Sequence, residues 1–151
     1  MSRYALDTSA YGAFCRQDPK VVTLIDEASW IGIPSIVLGE LFAGFANGTR
    51  TRQNHDLLQS FLAHPVVETL AVDDSVAAIY SELLTSLRQQ GPPIPTNDIW
   101  IAATAIRHGA PLVTADQHFH RVIRLASIVL PPTPYRTSPQ NQTAAPHRVS
   151  R

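Results

Sequence analysis

Trp30-Ile-Gly-Ile-Pro-Ser-Ile-Val-Leu-Gly-Glu-Leu-Phe-Ala-Gly-Phe-Ala-Asn-Gly48 runs from a strand signal straight into a helix signal. Residues 30–33 form a short apolar run suited to a buried strand, and Pro34 stops it. Ser35 reads as an N-cap for a helix through Leu41, Phe42 and Phe45 that ends at Asn47-Gly48. A strand handed directly to a helix is half of a βαβ unit, and the same alternation continues on both sides. Upstream, residues 4–6 read as a strand ending at Asp7, followed by helical pattern at 9–15 and 19–28. Downstream come a helix at 51–64, a strand at 66–72 and a helical stripe at 75–90 carrying Val76, Ile79, Tyr80, Leu83, Leu84 and Leu87. Thr96 or Asn97 can cap a helix reaching His108, with Gly109 just past its end. Residues 112–114 and 128–130 supply two further strands. Apolar strands separated by helices predict an α/β fold with a mostly parallel sheet, whose site lies at the carboxyl ends of the strands.

The domain is expected to span residues 1–135. Residues 136–151 continue a tail rich in Pro, Ser, Thr, Gln and Asn, a composition that predicts disorder. Over the 151 residues, 44% are hydrophobic and 16% charged, which excludes a largely disordered chain. No apolar run approaches the roughly 18 residues of a membrane span. Met1-Ser-Arg-Tyr-Ala-Leu-Asp7 does not read as a secretory leader. Cys15 is the only cysteine, so neither a disulfide framework nor a multi-cysteine zinc site is expected. A cytoplasmic protein with no membrane association follows. Net charge is zero, but the tail holds three arginines and no acid, leaving twelve acids against nine bases in the domain. A mildly acidic domain argues against a generic basic coat for nucleic acid.

Four acids stand alone in apolar surroundings. Asp7 is the only Lys, Arg, Asp or Glu in residues 4–15, Glu40 in 28–49, Asp98 in 89–106 and Asp116 in 108–120. An ionised carboxylate among apolar residues is costly unless something compensates it. Asp7 and Asp116 follow strands directly, while Glu40 and Asp98 lie early in helices, so one sheet edge can collect all four. Collected carboxylates raise each other's pKa, and a hard divalent cation such as Mg²⁺ or Mn²⁺ resolves the repulsion. Each acid also has a plainer reading. Asp7 can close a turn, Glu40 can face solvent, Asp98 can favour a helix start, and Asp116 can cap the segment after it. Four acids of one sign at four such junctions favour the metal site.

Thr8, Ser9 and Thr114 are placed to orient carboxylates, or to cap local backbone. His118 and His120 read as surface residues outside the ligand set. Cys15 reads as a small core residue, and Trp30 and Trp100 as core or interface. No Ser-His or Cys-His dyad is evident. Arg50 and Arg52, in Gly48-Thr-Arg-Thr-Arg-Gln, form the densest basic segment of the domain. That segment is either a solvated loop or a phosphate contact.

The chain resembles PIN-domain ribonucleases, in particular VapC-type toxins of toxin–antitoxin pairs. The resemblance rests on Leu6-Asp-Thr-Ser, on Ile33-Pro-Ser-Ile-Val-Leu-Gly-Glu-Leu-Phe-Ala-Gly, on Asn97-Asp-Ile-Trp-Ile-Ala-Ala-Thr-Ala and on Leu112-Val-Thr-Ala-Asp-Gln-His-Phe, in that order. It implies a three-layer α/β/α fold and a Mg²⁺- or Mn²⁺-dependent endoribonuclease with catalytic and metal-holding acids at Asp7, Glu40, Asp98 and Asp116. Thr114 falls on a hydroxyl position of the motif, and Arg50 and Arg52 become candidates for RNA contact. It further implies a homodimer and inhibition by a VapB-type antitoxin. Some members carry an additional acid just after the last Asp, where this chain has Gln117 and His118.

Other α/β chemistries fit less well. A response regulator needs a lysine near the last strands, and the sole lysine is Lys20. The P-loop motif is absent, and Asp7-Thr-Ser lacks the second acid of an Asp-x-Asp phosphatase. A non-catalytic binding module and a housekeeping nuclease of the same fold are the remaining alternatives.

Overall fold

The protein is described by a computed structural model covering residues 2–132. The expected domain end near Tyr135 and the tail at 136–151 lie outside the described residues. The strands are β1 (Arg3–Leu6), β2 (Trp30–Pro34), β3 (Val67–Leu70), β4 (Leu112–Thr114) and β5 (Ser127–Val129). They form one sheet in the order β3-β2-β1-β4-β5, and every pairing is parallel. The helices are α1 (Thr8–Cys15), α2 (Pro19–Glu27), α3 (Ser35–Ala46), α4 (Thr51–Leu62), α5 (Asp74–Gln90) and α6 (Thr96–Arg107), with a 3-10 turn at Gln117–Arg121. Helices flank the sheet in a three-layer α/β/α arrangement, as expected from the alternating pattern.

The strand order decides where chemistry can sit. From β1 the chain moves outward to β2 and β3, then crosses back to β4 on the other side of β1. Connections therefore leave the neighbours β1 and β4 in opposite directions. That divergence opens a crevice at their carboxyl ends. Leu6 pairs with Val113, which sets Asp7 beside Thr114 at the crevice.

Because the central strands are covered on both faces, their inner residues read as apolar runs, while the edge strand β3 exposes Glu68 and Thr69. Ala5, Leu6, Ile31, Ile33, Leu112 and Val113 are all essentially inaccessible. On one side Tyr11 and Phe14 pack against Phe61, joining α1 to α4. On the other, Tyr80 of α5 stacks on Trp100 of α6 with ring centroids 3.7 Å apart. Among the described residues, no helix is long and apolar enough to cross a membrane.

The structure corrects several local expectations. Pro34 and Pro95, rather than Ser35 and Thr96 or Asn97, occupy the caps of α3 and α6, with no side-chain cap bond at either. Their fixed φ and extended ψ turn the chain into each helix without a capping hydroxyl. Strand β3 is shorter than 66–72, and β5 starts at Ser127 and ends at Val129 instead of spanning 128–130. Cys15 is exposed, not core. The buried face of α1 is carried by Ala10, Tyr11 and Ala13, and Cys15 closes the helix outside it. Trp30 and Trp100 are half-buried and pack against the core, in keeping with the core reading. The Trp30 ring lies under the Arg3 guanidinium at 4.1 Å, stacks near His108, and donates from Nε1 to Glu68 at 2.7 Å.

This fixed indole explains Gly32. A Cβ there would collide with the Trp30 ring and lie 2.6 Å from Leu70 Cδ1. Gly32→Ala is expected to destabilise the fold by about 1–3 kcal/mol through overpacking. In urea denaturation, the cost should shrink when Trp30→Ala is introduced in the same chain. Additive costs would contradict the steric explanation.

Candidate active site

Asp7 is the anchor. It is 5% exposed and caps α1, where its Oδ1 accepts from Ala10 N at 2.8 Å and from Ser9 Oγ at 2.7 Å. Its Oδ2 accepts from the Thr114 hydroxyl across the sheet. Ser9 Oγ also accepts from Ala115 N at 2.8 Å, and Thr114 Oγ1 accepts from Asp116 N at 2.9 Å. Two hydroxyls thereby tie the end of β1 to the turn after β4. Each donates to Asp7 while accepting from the backbone that carries Asp116. Thr8 ties in a third element, donating to Glu40 Oε1 at 3.0 Å and linking α1 to α3.

Asp116 caps the 3-10 turn by accepting from His118 N at 2.9 Å. That turn swings the His118 ring back over the acids. His118 Nδ1 lies 3.2 Å from Asp116 Oδ1 and 3.9 Å from Asp98 Oδ2. One ligand atom from each of Asp98, Asp116 and His118 falls within 4.8 Å of the other two. Asp98 reaches this point because the first turn of α6 begins at the same edge. The structure thus gathers the four isolated acids and the three hydroxyls predicted to support them. It adds His118, which the sequence reading left outside. The only signal for His118 was its spacing two residues after Asp116, and a spacing of two reads ambiguously until the 3-10 turn is known.

Some expected features stand apart. Arg50 and Arg52 are exposed at the start of α4, and neither is among the charges that act on Asp98. His120 is exposed. A cavity of about 600 Å³, lined by Phe14, Ile25, Leu57, Phe61 and Val66 among others, includes none of the four acids. It is an apolar groove, not the reactive centre.

The electrostatics follow from the geometry. Burial raises the Asp7 pKa above its ordinary value, opposed by Thr114, Ser9 and Ala10 and reinforced by Asp116. Asp98 is pushed up from 3.8 to about 6, first by burial and then by Asp116, Glu40 and Asp7, with His118 opposing. Among the described residues, no Lys or Arg pairs with any of the four acids. The site carries more negative charge than its own side chains neutralise.

A raised carboxyl pKa has a definite consequence for stability. Asp98 imposes no penalty when protonated in both folded and unfolded chains. The penalty grows as pH rises from about 3.8 to about 6 and then stays constant, at most about 3 kcal/mol. In EDTA, the difference in unfolding free energy between Asp98→Asn and the wild type should move in favour of the variant across that window. At pH 7.5 the variant should be at least as stable as wild type. A variant less stable by the same amount at pH 4 and pH 7.5 would contradict the repulsion.

Comparison with known proteins identifies the family. The PIN domain family profile matches residues 4–125. Ribonuclease VapC2 of Rickettsia felis is 36% identical over 68% of this chain and 75% of its own length. Ribonuclease VapC4 of Mycobacterium tuberculosis is 31% identical over 58% of this chain and 68% of its own. Among solved structures, VapBC2 from Rickettsia felis bound to a DNA fragment from their promoter superposes with a TM-score of 0.72 at 32% identity. That match covers 84% of this chain and 98% of the other. With four acids gathered at the β1–β4 crevice and these relatives beside it, the chain belongs to the PIN-domain family, on its VapC-type branch.

Proposed function

We propose that the protein is a divalent-metal-dependent endoribonuclease, the toxin of a VapBC-type pair, that hydrolyses RNA phosphodiester bonds. The observation that carries this reading is the set of carboxylates left without basic partners, with Asp98 pushed up to about 6. The donor set fits Mg²⁺ or Mn²⁺, being dominated by carboxylate oxygens with an open approach from solvent at Asp116 and His118. When bound, a divalent cation polarises a phosphate oxygen and makes water a stronger nucleophile. Asp7, Asp98 and Asp116 would hold it. Glu40, restrained by Thr8, would either hold it or orient the attacking water. Ser9 and Thr114 keep Asp7 in one rotamer and fix the Asp116 backbone, so the acids need little rearrangement on binding.

Water is the nucleophile in this scheme, so the 2′-hydroxyl is not chemically required. Preference for RNA then comes from groove shape and contacts. Arg50 and Arg52 are the proposed phosphate contacts outside the acid cluster. The protein acts in the cytoplasm as a homodimer, and a VapB-type antitoxin restrains it. Relatives solved as VapBC complexes support that partner.

Asp7→Asn, Asp98→Asn and Asp116→Asn should each lower Mg²⁺- or Mn²⁺-dependent cleavage of RNA by orders of magnitude while circular dichroism stays unchanged. Wild-type cleavage by any two of them, in a preparation free of contaminating nuclease, would overturn the assignment. Replacing both Arg50 and Arg52 with Ala, in an Asp98→Asn background, should flatten the slope of log affinity against log salt by roughly one to one and a half units. An unchanged slope would place the RNA on another face.

A further inference from the structure

His118 bears on which cation the site selects, an inference that rests on the metal-dependent reading above. We propose that the imidazole of His118 is a ligand that biases the site toward Mn²⁺ over Mg²⁺.

Three features of the geometry point this way. The ring nitrogen Nδ1 faces the acids at 3.2 Å from Asp116 Oδ1 and 3.9 Å from Asp98 Oδ2. Donors at neighbouring vertices of an octahedron with bonds near 2.1 Å lie about 3 Å apart, so Nδ1 and Asp116 Oδ1, at 3.2 Å, are spaced as adjacent ligands, with Asp98 Oδ2 somewhat farther off. The turn that places the ring is the one Asp116 itself caps, through His118 N donating to Oδ1 at 2.9 Å. Carboxylate and imidazole are therefore positioned together rather than meeting by chance between two mobile side chains.

The chemistry gives the direction of selectivity. Mg²⁺ prefers oxygen and gives up water reluctantly. For a mixed nitrogen–oxygen site, first-row transition ions gain from the imidazole, beginning with Mn²⁺. An acid in place of His118 would make the trio all-oxygen and remove that gain. The competing explanation is that His118 is only a positive counterweight to Asp98 and Asp116, with no bond to the ion. A counterweight would weaken the binding of any divalent cation without discriminating between two ions of equal charge.

The test uses the full chain at pH 8, because imidazole ligates only in its neutral form. Mn²⁺ affinity is measured by the loss of free-ion signal in electron paramagnetic resonance, and Mg²⁺ affinity by competition against it. His118→Ala should lower Mn²⁺ affinity by about tenfold or more. It should leave Mg²⁺ affinity nearly unchanged, and His118→Asp should shift the preference to Mg²⁺. Pulsed spectra of the Mn²⁺-loaded wild type should show coupling to an imidazole nitrogen that disappears in His118→Ala. His118 is more than half exposed, so the folded state should tolerate either change. An equal change in both affinities in either direction, no change in either, or wild-type Mn²⁺ binding without nitrogen coupling, would overturn the ligand role while leaving the metal-dependent reading intact. No Mn²⁺ binding by the wild type would overturn both.

Discussion

Asp7 is a carboxylate placed where almost no water reaches, and it stays there because Ala10, Ser9 and Thr114 donate to it. A buried charge without such donors would protonate or unfold its surroundings. The donors come from different parts of the chain. Ala10 and Ser9 belong to the first turn of α1, and Thr114 ends β4. Satisfying one carboxylate therefore locks the β1–α1 junction to the β4 edge. The same hydroxyls hold Ala115 and Asp116 by their backbone amides. The position of every other acid is set relative to this knot.

The knot also concentrates charge. Asp116, Glu40 and Asp7 all act on Asp98, and His118 offsets them in part. A fold selected for stability alone would remove one of these acids or supply an arginine. Asp98 is destabilised because it is half-withdrawn from water among like charges, and a divalent cation is the ligand class that converts this repulsion into binding energy. Strain of this kind at a crevice in a parallel sheet is a common sign of function, here reinforced by membership of the PIN-domain family.

The parallel architecture was legible because the central strands are covered on both sides and read as short apolar runs, while the edge strand β3, with Glu68 and Thr69 exposed, shows only alternation. The clustering of the acids was legible because an isolated charge in apolar sequence needs compensation, and Glu40 and Asp98 could be expected near the other two without knowing any distance. The cap positions were not legible, since Ser35, Thr96 and Asn97 are good capping residues displaced by the prolines before them. Cys15 was misread because residue type predicts burial only on average, and the end of α1 points away from its packed face. The approach of His118 to Asp98 was not legible because it depends on a five-residue 3-10 turn, too short to leave a periodic signal.

If these acids form one cation site at the β1–β4 crevice, anomalous diffraction from a crystal of the protein soaked in Mn²⁺ will show a single strong peak enclosed by Asp7, Asp98 and Asp116 and absent from crystals of Asp98→Asn. A peak elsewhere on the surface, or none at saturating Mn²⁺, would contradict that site.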